Sequence, residues 1–169
     1  MKKIFLTLGV AVAFLMTFTS CGPTTEDAIA HNDQIVADQK DMLELEDDLI
    51  YAITEDGALD AIEDAYDEYV EYLEETLAKY EGMDAFDEND TFRKAMIDLL
   101  TTFLDVATGE YRDLIDIWSK DAEDLTEQDF EDWDSLIEDI DEKEIEANDA
   151  FLDAQKDFAA EYNFTLSSD

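Results

Sequence analysis

After Pro23 the chain contains no further proline, and its five glycines are too few to punctuate a turn-rich fold. A β-sandwich or barrel needs turn signals roughly every 8–12 residues, so long stretches without a breaker leave the apolar pattern to decide the structure. That pattern is helical. Residues 26–54 carry two rows at seven-residue spacing, Ala28-Ile35-Met42-Leu49 and Ile29-Val36-Leu43-Ile50, the signature of one face of a long amphipathic helix. Glu55-Asp56-Gly57 interrupts them. Residues 58–80 then put Leu59, Ile62, Tyr66, Tyr69, Leu73, Leu77 and Tyr80 on one stripe, with Gly82 placed to cap the helix end. The tyrosines imply a core edge that reaches water or hydrogen-bond partners.

Beyond a polar loop at 83–89, Asp90 is positioned as the N-cap of a third helix running to about Lys120. Its inward residues are Phe92, Met96, Leu99, Phe103, Val106, Leu114, Ile117 and Trp118. Gly109 inside it reads as a point of close helix approach. Thr126 caps a fourth helix that extends to about Asn163, with Glu127 and Asp129 in its first turn. Phe130, Trp133, Ile137, Ile140, Ala147, Phe151, Phe158 and Tyr162 form its inward row. Four amphipathic helices joined by short links predict an all-α chain, an antiparallel up-down-up-down four-helix bundle over residues 26–165. A content of 46% hydrophobic and 11% aromatic residues argues for a folded domain despite the charge.

The N-terminus has a different character. Met1, Lys2 and Lys3 precede an apolar run over 4–18, and Thr19-Ser20-Cys21 follows. This is the order of a cleaved secretory signal, and the run is shorter than the roughly 20 residues that span a bilayer. The segment resembles the lipobox of bacterial lipoproteins in the relaxed form of Bacteroidetes, with Phe18 where leucine is usual. The resemblance implies cleavage after residue 20, acyl chains on Cys21, a short tether over 21–25 and a place in the bacterial cell envelope. Gly22 is not the aspartate that resembles an inner-membrane retention signal, so the outer membrane is the expected destination, on either face. The whole mature chain is similar in general character to helical surface lipoproteins of Bacteroidetes and spirochaetes.

Removal of residues 1–20 leaves 8 basic against 48 acidic residues, a formal charge of −40. Such a field excludes nucleic acid and anionic lipid surfaces as partners and admits basic proteins and divalent cations. Forty-eight carboxylates also make acidic pairs common by chance. The one histidine, His31, lacks a glutamate three residues before it, which excludes a di-iron carboxylate bundle, and zinc and haem sites lack ligands. The 84–90 loop holds oxygen ligands but neither the glycine nor the spaced glutamate of an EF-hand. No nucleophile and histidine combine convincingly, and no phosphate-binding glycine loop is present. No catalytic residue, metal ligand or cofactor is expected.

One repeat stands out. Asn32-Asp33-Gln34-Ile35-Val36-Ala37-Asp38-Gln39-Lys40-Asp41 recurs in the fourth helix as Asn148-Asp149-Ala150-Phe151-Leu152-Asp153-Ala154-Gln155-Lys156-Asp157. Five of the ten positions are identical. If the first and fourth helices are antiparallel neighbours, Asn32 comes level with Gln155 and Gln39 with Asn148. Two register-setting amide layers follow, solvent-edge placement and a ligand slot being the alternatives. The functional expectation is a non-enzymatic envelope lipoprotein that presents an acidic helical surface to a partner. Its rival is a protein binding a small ligand or divalent cation in the bundle interior, with the Trp118, Phe130 and Trp133 end as the pocket, or at its acidic loops; a third reading is a solubility shield whose charge keeps the surface hydrated.

Overall fold

The computed structural model describes residues 22–166, so the expected signal peptide over 1–20 and the expected acylation site at Cys21 lie outside the described residues. Helix α1 spans Thr25–Tyr51 and opens on Thr24, whose hydroxyl accepts from the Asp27 N–H while the Asp27 carboxylate accepts from the Thr24 N–H. This reciprocal capping box starts the helix one residue before the sequence pattern does. The helix widens into a π-helical turn over Ala52–Asp56, closed by Gly57 at φ 67°, whose N–H reaches the Ala52 carbonyl at 2.9 Å. A left-handed residue suits glycine there. Helix α2 spans Leu59–Glu81; Gly82 caps it in the right-handed region rather than the left-handed one expected of a glycine stop.

The third rod consists of α3, Thr91–Val106, a π-helical turn over Ala107–Tyr111, and α4, Arg112–Trp118. Gly109 lies in that turn, and a Cβ added to it would meet nothing within 4 Å. The expectation of close helix approach is therefore wrong; the glycine sits where the helix widens, facing open space. Helix α5 spans Glu127–Glu161, opened by a second capping box between Thr126 and Asp129. Asp90 holds the N-cap position of α3 at φ 54°, but its side chain caps nothing. It accepts instead from the Phe86 N–H and pairs with Arg93, which also donates to the Tyr80 carbonyl at 2.5 Å. The loop is thereby tied back onto the end of α2.

All described regular structure is helical, and contacts fix how the rods run. Tyr80 meets Arg93 and Glu63 meets Arg112, so α2 opposes the third rod. Phe92 packs on Phe151 and Phe158, Glu110 pairs with Lys143 and Lys120 with Asp129, so the third rod opposes α5. Of the two rows on α1, Ala28, Ile35, Met42 and Leu49 are fully buried, whereas Ile29 and Ile50 are exposed. The core is continuous from Phe158 and Phe92 at one end to Ile53 and Ile115 at the other. It breaks from expectation at its far end: Trp118 is 42% and Phe130 62% exposed, and Leu59 and Ile137 are also exposed. These residues keep the helical period of the inward rows but lie where no facing helix covers them.

Candidate functional site

Backbones approach closely along α3 and α5 and along α2 with both of its neighbours, but α1 and α5 meet chiefly through side chains. The polar residues of α1 fill that wider seam at seven-residue steps. The Thr25 hydroxyl donates to the Tyr162 carbonyl at 2.9 Å, the Gln155 amide to Asn32 Oδ1 at 3.0 Å, and the Gln39 amide to Asn148 Oδ1 at 3.2 Å. Descending residue numbers on α5 against ascending ones on α1 make this pair antiparallel. Asn32 is buried, while Gln39, Asn148 and Gln155 are half-buried. The Asn148 amide nitrogen is also held, by the Glu144 carbonyl.

A fourth rung continues the row and was not anticipated. Glu46, 6% exposed, lies beside Glu144 of α5 across the seam, close enough for the two carboxyls to share a proton. Two ionised carboxylates so close repel each other, and burial together with that repulsion favours the protonated carboxyl. Burial is the main cause that raises both above the usual carboxyl range; Glu46 adds to the effect on Glu144, while hydrogen bonds from Glu144 and Tyr111 oppose it on Glu46. The Tyr111 hydroxyl donates to Glu46 Oε1 at 3.0 Å, and Tyr111 packs edge-on against Tyr69 of α2 with ring centroids 6.4 Å apart. Burial, reinforced by the two glutamates, raises the Tyr69 hydroxyl far above its ordinary value. Tyr69 is completely buried, yet its hydroxyl has no partner, and neither has Glu144 Oε1.

The opposite face of α1 is fastened to α2 by Asp38, whose carboxylate takes Tyr80 and Lys79 while its carbonyl accepts from Tyr72 at 2.9 Å. At the N-terminal end of α1, His31 stacks on Phe86 at 4.5 Å, with Nε2 buried and unpartnered. Burial lowers its pKa against the opposing charges of Asp90 and Asp87. In the 84–90 loop, Asp87 accepts from the Asn89 and Asp90 N–H groups and from the Tyr162 hydroxyl. Its carboxylate thus shapes the loop.

The far end carries the second feature. Trp118 and Trp133 lie 6.1 Å apart and, with Phe130, Leu125 and Ala122, line an open cleft of about 340 Å³. Ile117, Lys120 and Asp129 also line a neighbouring groove of about 360 Å³ that holds Asp113, Asp116 and Asp132. An apolar cleft thus runs directly into an acidic groove. A larger surface groove between α3 and α5, about 500 Å³, mixes Lys94 and Lys143 with Asp98 and Glu146. Its charges are locally balanced. Among the described residues, no helix is long and apolar enough to cross a membrane.

Compared with protein-family models, with curated proteins and with solved structures, the chain finds no match. The ladder and the aromatic end therefore stand on their own geometry.

Proposed function

We propose that the protein is a non-enzymatic cell-envelope lipoprotein, held to the outer membrane by acyl chains on Cys21, that docks a basic, amphipathic segment of a partner protein at its aromatic end. The observation that carries this reading is the open cleft of exposed Trp118 and Phe130 with half-buried Trp133, continuous with an acidic groove. Contiguous exposed aromatic surface is uncommon on a protein without a partner, and buried aromatic anchors dominate docking energies. The rim and the net charge of −40 left after residue 20 select cationic side chains around the apolar insert and speed their encounter. Position supports it as well. Thr24 and Thr25, the last residues of the expected tether, lie at the Tyr162 end of the bundle, and the 27 residues of α1 separate that end from the cleft by about 40 Å. A Cys21 anchor therefore directs the cleft away from the bilayer.

Both tryptophans of the chain line the cleft, so tryptophan emission, excited clear of the tyrosines, reports on it alone. Titration with a synthetic Leu/Lys amphipathic helix should blue-shift the emission saturably, and Phe130→Ser should weaken binding by about tenfold. A Ser/Lys peptide of equal charge should leave the emission unmoved. Equal responses to the two peptides would reduce the interaction to nonspecific charge and defeat the proposal. In cells, Cys21→Ala should move the protein from the membrane to the soluble fraction.

A further inference from the structure

The geometry points to a binding site for one divalent cation of the calcium type in the bundle core, formed by Glu46, Glu144, Tyr69 and Tyr111. Each oxygen comes from a different segment: Glu46 from α1, Tyr69 from α2, Tyr111 from the π-helical turn and Glu144 from α5. The two carboxylates supply two negative charges in a place where neither can be solvated fully, and a divalent cation cancels both. A proton shared between the glutamates meets only the oxygens it lies between. It leaves Glu144 Oε1 and the fully buried Tyr69 hydroxyl without partners, and each such group is expensive to keep.

Tyr69 is the independent sign. A structural tyrosine in an apolar core has its hydroxyl hydrogen-bonded or at the surface, and this one, packed on Tyr111 and within the field of Glu46 and Glu144, has neither. A cation bound by both carboxylates and by phenol oxygens engages every one of these atoms. An all-oxygen set selects hard cations over zinc or copper. Four protein groups of mixed denticity suit calcium, which accepts irregular coordination, better than magnesium, which demands near-ideal octahedra and keeps its water. Glu144 reaches partway to the surface at the α1–α5 seam and provides the route of entry. Occupancy would clamp all four helical rods at one level, in addition to the docking role of the aromatic end.

The surface of so acidic a protein attracts calcium diffusely, so the test must separate the core from that background. Isothermal titration calorimetry and thermal melting of the metal-stripped bundle, in about 0.5 M NaCl to screen surface charge, should give one saturable site and a melting temperature raised by about 5 °C or more at excess calcium. Tyr69→Phe keeps the ring and removes only the oxygen, and Glu144→Gln keeps the shape and removes the charge. Either should lower calcium affinity by at least about tenfold, whereas Glu146→Gln, on the exposed face of the same helix, should leave it unchanged. Binding that never saturates, or saturable binding that Tyr69→Phe and Glu144→Gln do not weaken, would overturn the assignment.

Discussion

Glu144→Gln gives the sharpest view of the seam in metal-free protein. In the folded state burial and Glu46 hold the Glu144 carboxyl above its usual range, whereas in the unfolded chain it titrates near about 4.3. A group raised by folding stabilises the protein fully below its unfolded value and loses that contribution as pH climbs toward the folded value. The slope is at most about 1.4 kcal/mol per pH unit for one proton. Since part of Glu144 reaches solvent, about half of that is a fair expectation. From about pH 5 to about pH 8 the wild type should therefore lose about 2 kcal/mol through this pair. Glutamine at 144 is uncharged throughout and can donate to Glu46, whose other partner, Tyr111, already donates. The variant should show a flatter profile and exceed the wild type by about 2 kcal/mol near pH 8. Urea unfolding followed by circular dichroism, in chelator and high salt, reads both profiles. Repulsion among the remaining carboxylates is common to both proteins and does not distort their difference. Superimposable profiles would refute the shared proton.

Other parts of the account predict equally definite outcomes. In a double-mutant cycle, Asn32→Ala and Gln155→Ala should show a coupling of about 1 kcal/mol by chemical denaturation, because each leaves its partner unbonded in the seam; independent effects would deny that this rung matters to register. Gly57→Ala should destabilise by about 1–2 kcal/mol and perturb tryptophan emission, since Gly57 sits at φ 67° and its new Cβ would lie 3.3 Å from the Trp118 ring.

Much of this fold is written locally. The absence of proline after Pro23, the capping boxes at Thr24 and Thr126, and the row Ala28-Ile35-Met42-Leu49 each specify helix or inward face from near neighbours alone. The pairing of Asn32 with Gln155 and of Gln39 with Asn148 was legible as well, because a repeated heptad motif on two helices encodes its own alignment. What escaped depends on neighbours distant in sequence. Glu46 is the next seven-residue step after Asn32 and Gln39, and Glu144 stands seven before Phe151, yet a glutamate among so many acids gives no local sign of burial. Periodicity assigned Trp118 and Phe130 to the inward stripe, but whether a stripe is covered depends on where the opposing helix ends. Asp90 has the chemistry of an N-cap, but the tight return of the 84–90 loop puts its backbone in the left-handed region and gives its carboxylate to Arg93.

The central claim is that one end of the bundle, and not the acidic surface at large, is the docking face. Hydrogen exchange of the protein with and without the saturating Leu/Lys peptide tests it directly. Protection should concentrate in α4, the 119–126 loop and the first turns of α5, leaving the α1 start and the 84–90 loop unchanged. Protection spread evenly along the acidic helices, or centred on the tether end, would contradict it.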